Sequence, residues 1–290
     1  MKIKFYKIFI LIILLSFCST PIIKQERNSS FYRIEHYKTK RTPKGILLQF
    51  DPISFSIDTL EKHWIPFWLK ENYEVVQIIQ NEKRFLSSQE VDVILKDIQE
   101  NNSLSSKKII LTGISLGGIT ILDYLNEKEN IEGISRVMVI GTGWDYAYSG
   151  NLFYENHDLL NKKIKDIKNF KFLSYKKYLE ENYNKPFIED FFIPNVSIEK
   201  KKFKYLGNHR LPMLIVVGKI DPFSPEDSMI PFIKNYQQCS FKTLLNRCYY
   251  IEASRANFFD KDYNHFDLFL YDDVVDDLYQ DMNEWIRKEF

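Results

Sequence analysis

Alanine is almost missing from this chain: three occur in 290 residues, at Ala147, Ala253 and Ala256. That scarcity reads as an Ile/Lys/Asn-favouring coding background. Cysteine is equally sparse, with Cys18, Cys239 and Cys248. Three cysteines exclude a disulfide-built scaffold and a zinc site made of cysteine alone. An excess of one charge is also lacking, since 40 Lys plus Arg face 39 Asp plus Glu. Without a basic surplus there is no electrostatic case for nucleic acid. No internal repeat is visible, which excludes solenoids and propellers. No cluster of metal-ligand type and no phosphate-cradling loop is visible, so no cofactor is expected.

What is present is an ordinary globular composition, 44% hydrophobic and 27% charged, rich in aromatics at 16%. Residues 1–7 carry Lys2, Lys4 and Lys7 and no acid, and 8–17 are apolar apart from Ser16. A basic start before a short apolar run has the order of a secretory signal, and the run is short for a bilayer span. Cys18 follows directly. This arrangement resembles a bacterial lipoprotein signal, which implies lipidation at Cys18 and an extracytoplasmic protein held to a membrane. Residues 18–40 are polar and mixed in charge, and read as a tether.

Beyond the tether, short apolar runs alternate with amphipathic stretches. Strands are expected at 46–50, 73–79, 108–113, 137–140, 213–217 and 249–251. Helices are expected at 57–70, 88–101, 117–127 and 267–288. This alternation predicts an α/β fold with a mostly parallel sheet covered by helices on both faces. Residues 145–209 interrupt it, with 14 Phe or Tyr between Tyr146 and His209. Apolar residues recur there at helical spacing, so a helical cap or lid is expected. The core would then comprise 41–144 and 210–290.

The strongest local signal is Gly113-Ile114-Ser115-Leu116-Gly117, followed by Gly118. It sits between the apolar strand KIILT and the amphipathic stretch ITILDYL. A sharp strand-to-helix turn crowds its own backbone, so glycines flank the serine and lift its hydroxyl above the sheet. The following helix points its N-terminus at that hydroxyl, where negative charge would develop.

In these features the chain resembles the α/β-hydrolase family over about residues 40–290. The resemblance implies a Ser, acid, His triad in that chain order. Ser115 would be the nucleophile. The acid would be Asp221, in Gly218-Lys219-Ile220-Asp221 after a late strand, with Asp145 as its competitor after an earlier strand. The base would be His265, before the last helix. His36, His63, His157 and His209 lack that setting. One oxyanion donor would be the Leu116 N–H. The second would come from Gln49-Phe50-Asp51-Pro52-Ile53, where many members have His-Gly. Pro52 has no N–H, which leaves Asp51, or Ile53 in a shifted register.

The resulting expectation is a serine hydrolase acting on carboxylic esters, with a small-molecule or lipid-like substrate favoured by the aromatic cap. Peptidases, thioesterases and acyltransferases share the same triad. A non-catalytic surface-binding lipoprotein is the reading of a different class. If lipidation consumes Cys18, Cys239 and Cys248 remain as an even pair that can form a disulfide if their Cα atoms are close enough.

Overall fold

The computed structural model describes residues 23–29, 32–51, 60, 62–80, 86–100, 108–143, 209–221, 224, 229, 239–241, 248–265, 267–269 and 273–289. The expected signal, Cys18, Ile53, Asp145, His157 and the cap insertion up to 208 lie outside these residues. Among the described residues no helix is long and apolar enough to cross a membrane.

The described residues build one nine-stranded sheet in the order β1-β2-β4-β3-β5-β6-β7-β9-β8. These strands are β1 (Ile23–Asn28), β2 (Tyr32–Lys38), β3 (Gly45–Phe50), β4 (Tyr73–Gln80), β5 (Ile109–Ile114), β6 (Ile134–Ile140), β7 (Met213–Gly218), β8 (Cys239–Phe241) and β9 (Cys248–Ala253). From β4 to β8 every neighbouring pair is parallel, and only β1 and β2 join antiparallel. All residues of β3, β5 and β7 are buried. Burial on both faces is why their sequences are continuous apolar runs with little alternation.

The two faces have separate cores. On one, Leu48, Val76, Leu111 and Ile215 pack under α2 (Ser88–Glu100) and α3 (Leu116–Glu127). On the other, Leu47, Val75, Ile110 and Val216 pack under α1 (Trp64–Lys70), α4 (Asp273–Asp276) and α5 (Leu278–Arg287). Helix α5 buries Leu278, Tyr279, Met282, Trp285 and Ile286, one stripe at helical spacing. Tyr279 meets Trp64 edge-on at 5.1 Å, and Trp64 meets Trp68 at 5.4 Å. These edge-to-face contacts lock the C-terminal helix to the first one.

The sequence-based strand positions hold within a few residues; of the helix expected at 57–70, Trp64–Lys70 is seen, with 57–59 and 61 outside the described residues. Three differences stand out. Residues 23–38 form β1 and β2 where composition reads as a tether. The buried acid of this stretch is paired within the sheet: Glu35 is 1% exposed, takes Lys24 at 2.7 Å and Arg33 at 3.1 Å, and accepts the Tyr37 hydroxyl at 2.6 Å, while Arg27 reaches Asp97 of α2 at 2.9 Å. His36 reaches Glu74 at 3.3 Å. Composition sees such residues as solvated because Lys24 and Glu74, which answer Glu35 and His36, come from other strands. The second difference is the expected single helix at 267–288, which breaks at Asp277. Its carboxylate accepts the Tyr263 hydroxyl at 2.8 Å and the Asp260 N–H at 3.2 Å, pinning the preceding loop. The third is β8, a three-residue edge strand too short to leave a periodic signal.

Candidate active site

Strand β5 ends at Ile114, and Ser115 begins the turn into α3 with φ 52° and ψ −118°. A positive φ at a residue with a Cβ is strained. Three hydrogen bonds hold it. Its N–H donates to the Ile140 carbonyl at 2.8 Å, and its carbonyl accepts from the Gly118 N–H and the Thr142 hydroxyl, both at 3.0 Å. The two glycines of the motif are needed for space. A Cβ on Gly113 would lie 2.6 Å from the Gly117 carbonyl carbon, and one on Gly117 would run into the Phe50 carbonyl.

The structure brings Ser115, His265 and Asp221 together. Asp221 follows β7, where its N–H donates to the Gly218 carbonyl at 3.2 Å. One carboxylate oxygen accepts the Ser224 N–H at 2.8 Å. The other lies 2.7 Å from His265 Nδ1, and His265 Nε2 lies 3.0 Å from Ser115 Oγ. A carboxylate can only accept. Nδ1 therefore donates to Asp221, and Nε2 is left to accept the serine hydroxyl proton. Both partners are withdrawn from solvent, Asp221 at 4% and His265 at 2% exposure.

His265 is oriented by its surroundings. Asn264 and Asp267 bracket it through reciprocal bonds: the Asn264 N–H donates to the Asp267 carboxylate at 2.9 Å, and the Asp267 N–H to the Asn264 amide oxygen at 3.1 Å. Phe269 packs edge-on against the imidazole at 5.7 Å. Gly141, at φ +56°, passes so close that a Cβ there would stand 3.1 Å from the ring. Sequence reading singled out neither Thr142 nor Gly141. The only trace was a Gly-Thr-Gly stretch after β6.

The other histidines lie elsewhere. His36 is paired with Glu74, His63 precedes α1, and His209 Nε2 lies 2.7 Å from the Leu125 carbonyl. Among the described residues no group of three or more His, Cys, Asp or Glu could hold a metal ion.

The oxyanion assignment needs one correction. Leu116 is the first residue of α3, where an N–H has no intrahelical acceptor and is available to a ligand. The Asp51 N–H is engaged: it donates to the Ile78 carbonyl at 3.3 Å, extending the β3–β4 ladder by one residue. It is therefore not the second donor in this structure. The Asp51 side chain is buried, and accepts the Gln77 amide at 2.6 Å. Burial pushes its carboxyl well above the usual carboxylate range, against the opposing Gln77 hydrogen bond.

Several solved structures share this arrangement of strands and helices. An esterase of Pyrococcus furiosus aligns over 92% of this chain and 91% of its own, with 12% identity and a TM-score of 0.58. A soluble variant of the Saccharomyces cerevisiae monoglyceride lipase, solved with a substrate analogue, aligns over 93% and 95% with 15% identity and a TM-score of 0.60. The chain has the α/β-hydrolase fold. The acylaminoacyl peptidase of Pyrococcus horikoshii also matches, over 96% of this chain but 43% of that one, at 12% identity and a TM-score of 0.57. No family model matches the sequence, and no curated protein matches it. On this hydrolase fold Ser115 occupies the turn between the central strand and its following helix. Cys248 is disulfide-bonded, and Cys239 is its backbone register partner across β8 and β9.

Proposed function

We propose that this protein is a serine hydrolase that cleaves carboxylic esters through an acyl-enzyme. The observation that carries the reading is the continuous chain of contacts from Asp221 through His265 to Ser115, at 2.7 and 3.0 Å. Ser115 Oγ attacks the acyl carbon as its proton passes to His265 Nε2. The substrate carbonyl oxygen takes up negative charge, which the Leu116 N–H and the N-terminus of α3 stabilise. His265 then returns the proton to the departing alcohol. A water enters, gives its proton to His265, and attacks the same carbon, releasing the acid and restoring Ser115. Asp221 holds the imidazole in the required tautomer and stabilises its charged form. Esters are favoured over amides because esterases and lipases are prominent among the structural neighbours, and an alkoxide leaves more readily than an amine.

A fluorophosphonate probe tests the nucleophile. Wild-type protein should be labelled once, and Ser115→Ala should not be. Absence of labelling in folded wild type would favour a binding protein built on a hydrolase fold. Hydrolysis of p-nitrophenyl esters of graded chain length, set against aminoacyl amides, decides the substrate class. An amide preference would move the assignment to a peptidase. We also propose that Cys18 is lipidated and anchors the protein outside the cytoplasm, which an unmodified residue 18 in the mature protein's mass spectrum would refute.

A further inference from the structure

A row of buried polar side chains crosses the sheet beside the nucleophile turn. Register sets Glu35 beside Gln77, Gln77 beside Gln49, and Gln49 beside Thr112. Residues in register point to one face, and so do residues two apart on a strand. Asp51, two residues after Gln49, belongs to the same row. Gln49, Gln77 and Thr112 are fully buried, and Asp51 is 9% exposed. Polar groups in such a place need partners.

The Glu35 carboxylate at the edge finds partners, and the acceptors near the turn do not. Glu35 is satisfied by Lys24, Arg33 and Tyr37. Gln49 spends its amide N–H on the Phe50 carbonyl at 2.7 Å, and Gln77 spends its own on Asp51 Oδ2 at 2.6 Å. Gln49 Oε1, Gln77 Oε1 and Asp51 Oδ1 are left buried without a partner. With Asp51 ionised, all three are acceptors and none can satisfy another. A proton on Asp51 turns one of the three into a donor within the same row.

Asp51 also borders the nucleophile turn. A Cβ on Gly117 would come within 3.0 Å of the Asp51 carbonyl, so the backbone after β3 is packed directly against the start of α3. We propose that Asp51 is a positioning residue that works as the neutral acid, clamping the end of β3 against the nucleophile turn. Its desolvation favours the same form, since burial raises the carboxyl more than the Gln77 bond and Arg33 lower it. Among the described residues, register puts Arg33, Glu35 and Tyr37 of β2, Tyr73 of β4 and Arg136 of β6 on this face, Lys24 of β1 reaches it through Glu35, and Tyr279 of α5 packs over it. The charges that act on Asp51 are Glu35, which raises its carboxyl, and Arg33, which lowers it.

The effect on rate rests on the serine-hydrolase reading, but the protonation state does not. Folding with Asp51 neutral takes up a proton that the unfolded chain releases above its ordinary carboxylate value. The wild type therefore loses stability relative to Asp51→Asn as pH rises above that value, and the loss grows up to the folded-state titration. Urea unfolding of both proteins at about pH 4.5 and about pH 8 should show a gap in favour of Asp51→Asn that widens at the higher pH. An equal gap at both values would overturn the proposal. Should Asp51→Asn not fold, infrared spectra of the wild type decide: a neutral carboxylic-acid band at neutral pH supports the proposal, and its absence overturns it. In turnover, Asp51→Asn should stay within about threefold of wild-type kcat and lack the wild type's fall at high pH, whereas Asp51→Leu should lose about tenfold or more in kcat with little change in KM. Full kcat in Asp51→Leu would remove the positioning role. Failure of the wild type to react with the fluorophosphonate would instead remove the hydrolase reading and leave the stability comparison standing.

Discussion

Ser115 sits at φ 52°, a conformation that costs about 1–3 kcal/mol for a residue with a side chain. The hydrogen bond to the Ile140 carbonyl and those from Thr142 and Gly118 over-determine it, and the reward is a hydroxyl aimed at His265 Nε2. The residue of greatest leverage is then Asp221, because it alone selects the tautomer that leaves Nε2 able to accept. Asp221→Asn should lower kcat by about 10⁴ with little change in KM, since the amide can donate to Nδ1 and reverse the tautomer. Steady-state ester hydrolysis measures this, and a loss under about tenfold would mean that another acid serves His265. The three residues were legible because each sits at a backbone landmark: a glycine-flanked turn, a Gly-x-x-Asp turn, and the loop before the last helix. The Asp51 N–H was misread for a definable reason. Ladder pairing with Ile78 runs one residue past the apolar run that marks β3, and no one-dimensional pattern reveals where a ladder stops.

At the scale of elements, β1 and β2 are the clearest case of tertiary context overriding composition. Glu35 and His36 are buried because Lys24 of β1, Tyr37 of β2 and Glu74 of β4 answer them. Ile34 is 2% exposed on this hairpin and belongs to the core under α2 and α3. Ile34→Ala should therefore cost about 2–5 kcal/mol in urea unfolding, as for other buried aliphatic residues. A change near zero would restore the tether reading for residues 23–38. The central strands were legible for the opposite reason. Burial on both faces leaves only apolar runs, and such runs stand out between polar loops. The break at Asp277 was not legible, because the carboxylate that interrupts the helix serves Tyr263 and Asp260 in another segment.

Across the whole molecule, the sheet carries a covalent cross-link at Cys248 of β9. Cys248 is disulfide-bonded and fully buried, and β8 is only three residues long. Cys248→Ser should lower stability by about 2–4 kcal/mol, and wild-type protein in reductant should fall to a similar value. Thermal unfolding with and without reductant makes the comparison. A wild-type transition unmoved by reductant, with full reduction verified by thiol titration, would show that the bond contributes nothing to the fold.

The chain by itself determined the α/β class, six of the nine strands and the three candidate catalytic positions. These follow from short-range physics: which runs are apolar, where glycine is needed for a turn, and which side chain can carry a proton near neutral pH. Only the tertiary structure decided which charged residues are buried, where the β3 ladder ends, and that three acceptor oxygens are buried without partners in one row beside the nucleophile turn. Each of those depends on partners distant in sequence, and the cost of burying a charge or an amide is set by the neighbour that answers it.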